Sequence, residues 1–163
     1  MKDKKKIDKS LMFEQACAFL ECADYAQKNN GPDARKSNGY VYVSLAALAC
    51  EIYLKCLIIN ENGAYKNEHS LEELWKIYKN LNMGDAEKTE KKVDGVFGTQ
   101  GAFDNMLKDS SKAFTLWRYI FDYQDSDAVV VVPQFLRVFS NALRFECCKE
   151  IKGITWEEYL EQR

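Results

Sequence analysis

Residues 40–59 read YVYVSLAALACEIYLKCLII, the most apolar run in the chain, and Glu51 and Lys55 are its only charged residues. Apolar side chains fall on nearly every side of a helix drawn through this run, which is typical of the central helix of a bundle. We predict that this helix extends from residue 37 or 38 to residue 61. The two charges are costly in lipid, so no membrane span is expected here.

The composition of the chain favours one helical domain. Of 163 residues, 47% are hydrophobic, and only two, Pro32 and Pro133, are prolines. So few helix-breaking residues favour long helices over many short strands. We therefore predict an all-α, up-and-down bundle of four to five long helices with a short terminal helix. Residues 1–9 are expected to be a flexible charged tail, and residues 10–163 a single domain.

Charge and cysteine content narrow the function classes. The formal net charge of −2 excludes nucleic-acid binding by bulk electrostatics alone, although a local basic surface remains possible. No secretory signal follows the lysine-rich start, so a cytoplasmic location is expected. The six cysteines fall in predicted helices among apolar neighbours, which favours reduced core thiols. They are Cys17, Cys22, Cys50, Cys56, Cys147 and Cys148.

Capping signals place the ends of several helices. Ser10 is expected to cap a first helix that reaches about Asn29. Ser70 and Glu73 form a predicted capping box, and Thr155 and Glu158 form another before the short terminal helix.

The remaining helices are predicted from apolar periodicity and breaks. Residues 85–94 are expected to form a short exposed helix, followed by a glycine-bearing loop over residues 95–101 that does not match a phosphate-cradling fingerprint. A long helix is predicted for residues 102–123. The last long helix is predicted to start near Asp127 or at Pro133 and to reach about Lys149. The valine run at residues 129–132 is interpreted as a loop or first helical turn.

Metal and nucleophilic chemistry have little support in the sequence. His69 is the only histidine, and no Cys-x-x-Cys motif is present, so neither a metal nor a cofactor is predicted. His69 directly precedes the Ser70 cap, where a solvated or capping histidine is expected. We therefore place His69 outside the group of residues that would contact a ligand.

Two polar pairs at i, i+4 spacing stand out on otherwise apolar helices. Glu51 and Lys55 lie on a stripe with Ser44 and Leu48, which is either a solvent-facing ion pair or a polar lining between packed helices. Arg118 and Asp122 are flanked by aromatic residues. This second pair is either structural or a site where a guanidinium binds phosphate beside stacking rings.

The order of these features resembles the HEPN (higher eukaryotes and prokaryotes nucleotide-binding) family. Residues 43–59, VSLAALACEIYLKCLII, resemble the second helix of bacterial HEPN domains, and residues 69–74, HSLEEL, resemble the entry to the third helix. Trp117-Arg118-Tyr119 falls where that family has an arginine-bearing helix. The resemblance spans about residues 10–148.

The resemblance implies a dimeric fold and a role in RNA chemistry. Many HEPN members are metal-independent ribonucleases of toxin–antitoxin and other defence systems, with an arginine followed four to six residues later by a histidine. Arg118 matches that arginine, but Tyr123, Gln124 and Asp125 stand where the histidine is expected. Without that imidazole, no group of near-neutral pKa is in place for proton transfer.

Three functional hypotheses follow from these observations. The first is a non-catalytic module that binds RNA, a nucleotide or a cognate antitoxin-like protein, and we favour it. The second is a divergent metal-independent ribonuclease that uses Arg118 with Asp122 or Tyr123. The third is a helical scaffold without a nucleic-acid role.

The predicted site and assembly can be stated by residue. Ligand binding is expected at Arg118 and Tyr119, with Glu51, Lys55 and Asp122 as neighbours. A homodimer is predicted because the last helix has two apolar rows, more than one bundle usually covers. These rows are Leu136/Phe139/Leu143/Cys147 and Phe135/Val138/Ala142/Phe145.

Overall fold

The computed structural model describes residues 7–29, 37–65, 67–111, 113 and 133–163, and these residues form helices without any strand among them. In chain order the helices are α1 (Lys9–Lys28), α2 (Ser37–Asn62), α3 (Leu71–Leu81), α4 (Met83–Phe97), α5 (Ala102–Ser110), α6 (Pro133–Lys152) and α7 (Trp156–Glu161). The predicted all-α bundle is confirmed. Most of the predicted tail, the later part of the helix predicted for residues 102–123, and the valine run lie outside the described residues.

Helix α2 is the centre of the bundle, as its all-round apolarity predicts. It packs against α1, α3 and α6. Its side chains on several faces are fully buried, including Val43, Ala47, Cys50, Leu54 and Leu57. Each leucine buried in this way stabilises the fold by about 1.5–3 kcal/mol relative to an exposed one. Glu51 and Lys55 therefore lie on a helix whose side chains are mostly buried.

By its length and its apolar composition alone, α2 could cross a membrane. An 18-residue stretch within Gly39–Asn62 has a mean hydropathy of 1.8, and 78% of that stretch is buried within the protein. The core helix of a bundle meets the same two conditions, so they say little about a membrane. That the chain has no membrane contact stays a prediction.

Helix α1 begins one residue before the predicted start, and its cap is Asp8. The Asp8 carboxylate accepts a hydrogen bond from the backbone N–H of Leu11 at 3.0 Å. Ser10, the predicted cap, lies inside the first turn, and its hydroxyl donates to Glu14 at 3.3 Å. Aspartate and serine are both good N-caps, so composition alone does not choose between two such residues separated by one position.

Helix α4 is longer and more buried than the predicted exposed segment. It runs from Met83 to Phe97, so it includes the first three residues of the predicted glycine-bearing loop. Ala86, Thr89 and Val93 face the core at spacings of three and four residues. The helix ends at Gly98, whose positive φ of 65° is the left-handed conformation common after helices.

Asp94, within α4, caps the N-terminus of the next helix, α5. Its carboxylate accepts hydrogen bonds from the backbone N–H groups of Gly101, at 2.7 Å, and Phe103, at 2.8 Å. The N-cap of α5 is Gly101, which has no side chain to accept them. A carboxylate from the preceding helix therefore satisfies N–H groups that a serine or aspartate cap usually satisfies.

Helices α3, α5 and α6 meet at an aromatic cluster of Trp75, Phe103, Phe135 and Phe139. The ring centroids of Trp75 and Phe103 are 5.1 Å apart, and those of Phe103 and Phe139 are 5.3 Å apart in an edge-to-face arrangement. Such pairs add about 0.5–1.5 kcal/mol beyond the burial of their area. The cluster fixes α3, and with it the segment that precedes α3.

Other helices of the same chain bury more of the α6 surface than its two apolar rows suggest. Every residue of the first row is fully buried, and in the second row Phe135 and Ala142 are buried while Val138 and Phe145 are half-buried. The arc is therefore largely covered without a second subunit, and the argument from this arc for a dimer does not hold. The homodimer stays a prediction that rests on the family resemblance.

The six cysteines are all free thiols, and five of them are buried. Cys22 is exposed on α1, so the expectation of six core thiols is wrong at this position. Its neighbours in sequence, Glu21 and Ala23, are charged or small. The buried Cys50 illustrates the others, since burial raises the pKa of its thiol well above the usual value and keeps it protonated.

Candidate functional site

The candidate site is built around Glu51 and Lys55, which lie one turn apart on α2. Lys55 Nζ donates to Glu51 Oε1 at 2.7 Å. Glu51 is only 4% exposed and Lys55 only 7%. The interpretation of this pair as a solvent-facing stripe is therefore wrong, and the alternative, a polar lining between packed helices, describes the geometry.

His69 brings a third group to this pair. Its Nδ1 lies 2.9 Å from Glu51 Oε1, the same oxygen that accepts from Lys55. The imidazole is 57% exposed, whereas the carboxylate that it contacts is buried. His69 therefore joins the buried pair to the protein surface. We expected a solvated or capping histidine outside the site, and the contact with Glu51 instead places His69 beside two of the predicted site residues.

Hydrogen bonds to Glu68 shape the backbone around His69. The Glu68 carboxylate accepts from the backbone N–H groups of His69, at 2.7 Å, and Ser70, at 2.8 Å. These two hydrogen bonds lower the pKa of Glu68 and keep it ionised. The peptide units on both sides of the imidazole are thus fixed by one carboxylate.

Ser70 then connects this segment to the end of α5. Its hydroxyl caps α3 by accepting from Glu73 N–H at 3.3 Å, and it lies 2.6 Å from the Ser111 hydroxyl. The Ser111 carbonyl and hydroxyl accept from the N–H groups of Leu71 and Glu72, both at 3.1 Å. The predicted cap is confirmed, while the Glu73 side chain pairs with Lys76. Residue 111 therefore helps to position His69.

Tyr65 covers the exposed side of Lys55. The Lys55 ammonium lies 5.1 Å from the centre of the Tyr65 ring, a distance at which cation and ring attract. The tyrosine itself is 41% exposed. An aromatic face, an imidazole and an ammonium thus lie within one small area.

One oxygen of this site has no hydrogen-bond partner among the described residues. Glu51 Oε2 is buried from solvent, while Oε1 accepts from Lys55 and contacts His69. A buried carboxylate oxygen normally accepts a hydrogen bond, and leaving it without one is costly. Glu51 can therefore accept from one more donor, through Oε2.

The chemistry open to the site follows from His69. With Nδ1 engaged by Glu51, Nε2 is the ring nitrogen left to contact a ligand. A carboxylate at Nδ1 favours the neutral tautomer that is protonated there, as in catalytic carboxylate–histidine pairs. In that tautomer Nε2 accepts a hydrogen bond from a group at the surface of the site.

Of the residues predicted for the site, the structure brings together Glu51 and Lys55. Arg118, Tyr119, Asp122 and Tyr123 lie outside the described residues. Sequence reasoning missed His69, although its place in the His-Ser-Leu entry to α3 was an available signal. Comparison of the chain with protein-family models, with curated proteins and with solved structures finds no match.

Proposed function

We propose that this chain is a HEPN-like, dimeric module that binds RNA or a nucleotide through phosphate, without turnover, in a bacterial defence or toxin–antitoxin system. The observation that carries the proposal is the convergence of Lys55 and His69 on one oxygen of Glu51. The pair alone is an ordinary buried salt bridge. The third, exposed group makes it a surface that a ligand can reach.

The described side chains suit a phosphate with an attached base. The exposed imidazole of His69 donates to a phosphate oxygen when Nε2 is protonated. Tyr65, exposed beside Lys55, offers a ring on which a base can stack, and stacking is the usual way in which unpaired RNA bases are held. A chain with net charge −2 needs such local contacts, because its overall field does not attract RNA.

Arg118 completes the proposed site. A guanidinium donates to phosphate through two parallel N–H groups, and a carboxylate that accepts from the same group orients it. Glu51 Oε2 has the buried position and the free acceptor capacity for this role. We assign Arg118 to the phosphate, Tyr119 to the neighbouring ring surface, and Asp122 to a second acceptor for the guanidinium.

Substitution of Arg118 tests the site. Arg118→Ala is expected to weaken the binding of a fluorescent RNA oligonucleotide or nucleotide, measured by anisotropy, by about 10- to 100-fold. That range corresponds to roughly 1.5–3 kcal/mol for a charge-assisted hydrogen bond. The melting temperature and the mass by light scattering should stay those of the wild-type dimer.

Arg137 provides the matched control, since it is an exposed arginine on α6. Arg137→Ala should leave affinity unchanged. If Arg118→Ala lowers the melting temperature while affinity stays at the wild-type value, Arg118 is structural and the site is misassigned. A monomeric mass for the wild type at tens of micromolar would reject the dimer alone.

A metal-independent ribonuclease is the second candidate, and His69 is the observation that favours it. The sequence argued against catalysis because no histidine follows Arg118 at the expected spacing. The structure has an imidazole elsewhere, since His69 contacts the buried carboxylate of Glu51. A positioned acid–base group contributes about 10²–10⁴-fold to a rate. In this mechanism His69 transfers the proton, and Asp122 and Tyr123 are not needed for it.

Cleavage of a labelled RNA in EDTA separates the two candidates. A ribonuclease that uses His69 should lose on the order of 100-fold or more activity in His69→Gln. Asn67→Ala, an exposed change in the same segment, should keep full activity. Wild-type protein that binds the RNA and leaves it intact supports the non-catalytic module.

A further inference from the structure

Helix α1 carries a row of exposed side chains along its whole length. The row repeats at spacings of four and three residues, which places its members on one side of the helix. We call this row the α1 stripe, and it consists of Leu11, Gln15, Ala18, Cys22 and Tyr25, all exposed. Leu11 is 62% exposed and Tyr25 is 72% exposed, the highest fractions among the large apolar side chains of the described residues.

The core-facing side of α1 is apolar as well. It packs on α2 and α6 through the buried Phe13, Ala16, Cys17, Leu20 and Ala23. Half-buried Met12 and Phe19 connect this side to the α1 stripe along one edge. A helix at the surface of a globular protein normally has polar residues opposite its buried side. The α1 stripe is therefore apolar surface that the fold of one chain does not use, and such surface marks an interaction site.

The other edge of the α1 stripe is acidic, but its charges are already paired within the chain. Glu14 and Glu21 each lie one turn from two residues of the stripe. Lys152 Nζ is 2.7 Å from Glu14, and the guanidinium of Arg163 pairs with Glu21. This edge therefore has no excess charge that would select a strongly basic or acidic partner.

The two ends of α1 carry opposite charges. The Asp8 carboxylate caps the N-terminus, and the exposed Lys28 lies in the last turn, where no ion pair joins it to another described residue. Ala18, the smallest side chain of the stripe, lies midway between them in the sequence. Two copies of α1 that cross antiparallel at Ala18 can approach closely and bring each Asp8 near the Lys28 of the other copy. A parallel pair would bring like charges together at both ends.

We propose that the α1 stripe binds the α1 stripe of a second copy of this chain, with the two helices antiparallel about a twofold axis at Ala18. A twofold interface uses the same surface on both copies, and a stripe with opposite charges at its ends is complementary to itself in this orientation. The inference rests on the dimer of the proposed function and names its surface, but it does not depend on RNA binding. One helix per copy makes a small interface, so the dimer should dissociate in the micromolar range.

Analytical ultracentrifugation of the full chain at about 1–100 µM tests this surface. The wild type should be a dimer at the upper concentrations. Leu11→Glu and Tyr25→Glu place a charge in the interface, and each should weaken dimerisation on the order of 100-fold. Leu81→Glu, the same change at an exposed leucine on α3, is the matched control and should dimerise as the wild type does. Circular dichroism establishes that each variant is folded, and Tyr25→Glu replaces Leu11→Glu if the latter is not.

Cys22 provides a second measurement, because it is exposed while the other five thiols are buried. Its reaction with a thiol reagent should slow as the wild type dimerises and should not slow in Leu11→Glu. In the antiparallel pair the two Cys22 residues are about 12 Å apart along the helices, too far for a disulfide. Mild oxidation should therefore cross-link Ala18→Cys in a Cys22→Ser background and leave the wild-type dimer without a cross-link.

A wild type that stays monomeric at all these concentrations overturns the inference together with the dimer of the proposed function, and leaves RNA binding untouched. A dimeric wild type whose Leu11→Glu and Tyr25→Glu variants keep wild-type affinity overturns this inference alone, because the copies then meet at another surface. Equal weakening in Leu81→Glu does the same. A Cys22 disulfide in the wild-type dimer overturns the antiparallel arrangement.

Discussion

The Glu51–Lys55–His69 cluster and the Asp85–Glu146–Glu150 cluster, which lies between α4 and α6, differ in where their positive charge lies. Lys55 is buried with the carboxylate that it neutralises. In the second cluster Lys88 pairs with Asp85, and Lys149 pairs with both glutamates, but the two lysines are mostly exposed. A buried ammonium cannot leave without leaving an uncompensated charge behind. An exposed ammonium group can move away from its carboxylate without that cost. The first cluster is therefore part of the fold, and the second is open to exchange its counter-charge.

The largest loss of stability is expected when the Glu51 carboxylate is removed. Glu51→Leu leaves the Lys55 ammonium buried without its carboxylate, and loss of one partner from a buried pair costs about 3–5 kcal/mol. Urea denaturation measures the free energy of unfolding. The double change Glu51→Leu with Lys55→Met should recover most of that loss, because both charges are then gone.

An exposed pair of the same spacing provides the control for Glu51→Leu. Lys76 Nζ lies 2.9 Å from Glu72 on α3, and the lysine is 56% exposed. Glu72→Gln should change stability little, since exposed pairs of this kind contribute little. If Glu51→Leu and Glu72→Gln have equal effects, burial does not distinguish the two ion pairs and the comparison fails.

A smaller loss of stability is expected from removal of the Ser70 hydroxyl, which follows His69 and contacts Ser111 at the end of α5. Ser70→Ala removes the cap of α3 and the contact with Ser111, at about 1 kcal/mol. Because Ser70 adjoins His69, the imidazole resonances in a nitrogen-detected NMR spectrum should also shift.

Thr155→Ala at α7 separates these two effects of Ser70. Thr155 caps α7 with both hydrogen bonds of a capping box, so its loss should also cost about 1 kcal/mol. The His69 resonances should not move, since α7 is remote from α3. Unchanged His69 resonances in Ser70→Ala would show that the cap does not position the imidazole.

The smallest effect is expected at the carboxylate cluster and depends on pH. The folded-state pKa of Glu146 is raised above 4.5, mainly by burial, so the folded chain loses stability as pH rises from about 4.5 through that raised value. Glu146→Gln should therefore melt higher than the wild type at pH 7, by a few degrees, at roughly 2–4 °C per kcal/mol.

Toward pH 3 the melting temperatures of Glu146→Gln and the wild type should converge, because the pH is then well below both the unfolded and the raised folded pKa of Glu146. Differential scanning fluorimetry across this pH range measures both values. A lower melting temperature for Glu146→Gln at pH 7 would mean that the ionised carboxylate stabilises the fold through its lysine, contrary to the comparison.

Local signals account for the parts of the fold that could be predicted from the sequence. The all-round apolarity of α2 predicts its central position, and Ser70 and Thr155 predict the starts of α3 and α7. In each case the residues that decide the structure lie within a few positions of one another. Apolar periodicity and capping motifs therefore predict such helices and their ends directly.

Parts that depend on distant residues were missed or misassigned. The burial of α4 depends on what packs against it, and its short buried row of Ala86, Thr89 and Val93 lies within a highly charged segment. Glu51 and His69 are 18 positions apart, so no spacing rule joins them. The lone histidine next to a cap was placed outside the site because its carboxylate partner lies on α2, far away in the sequence.

The apolar α2 also has a consequence during synthesis. About 70 residues separate the end of α2 at Asn62 from the start of α6 at Pro133, and α6 is one of the helices that cover it. At about 5–20 residues per second, a ribosome needs roughly 4–14 seconds to make that interval. During that interval only α1 and then α3 can shield α2, so the face of α2 that α6 later covers stays open to chaperones and to neighbouring chains.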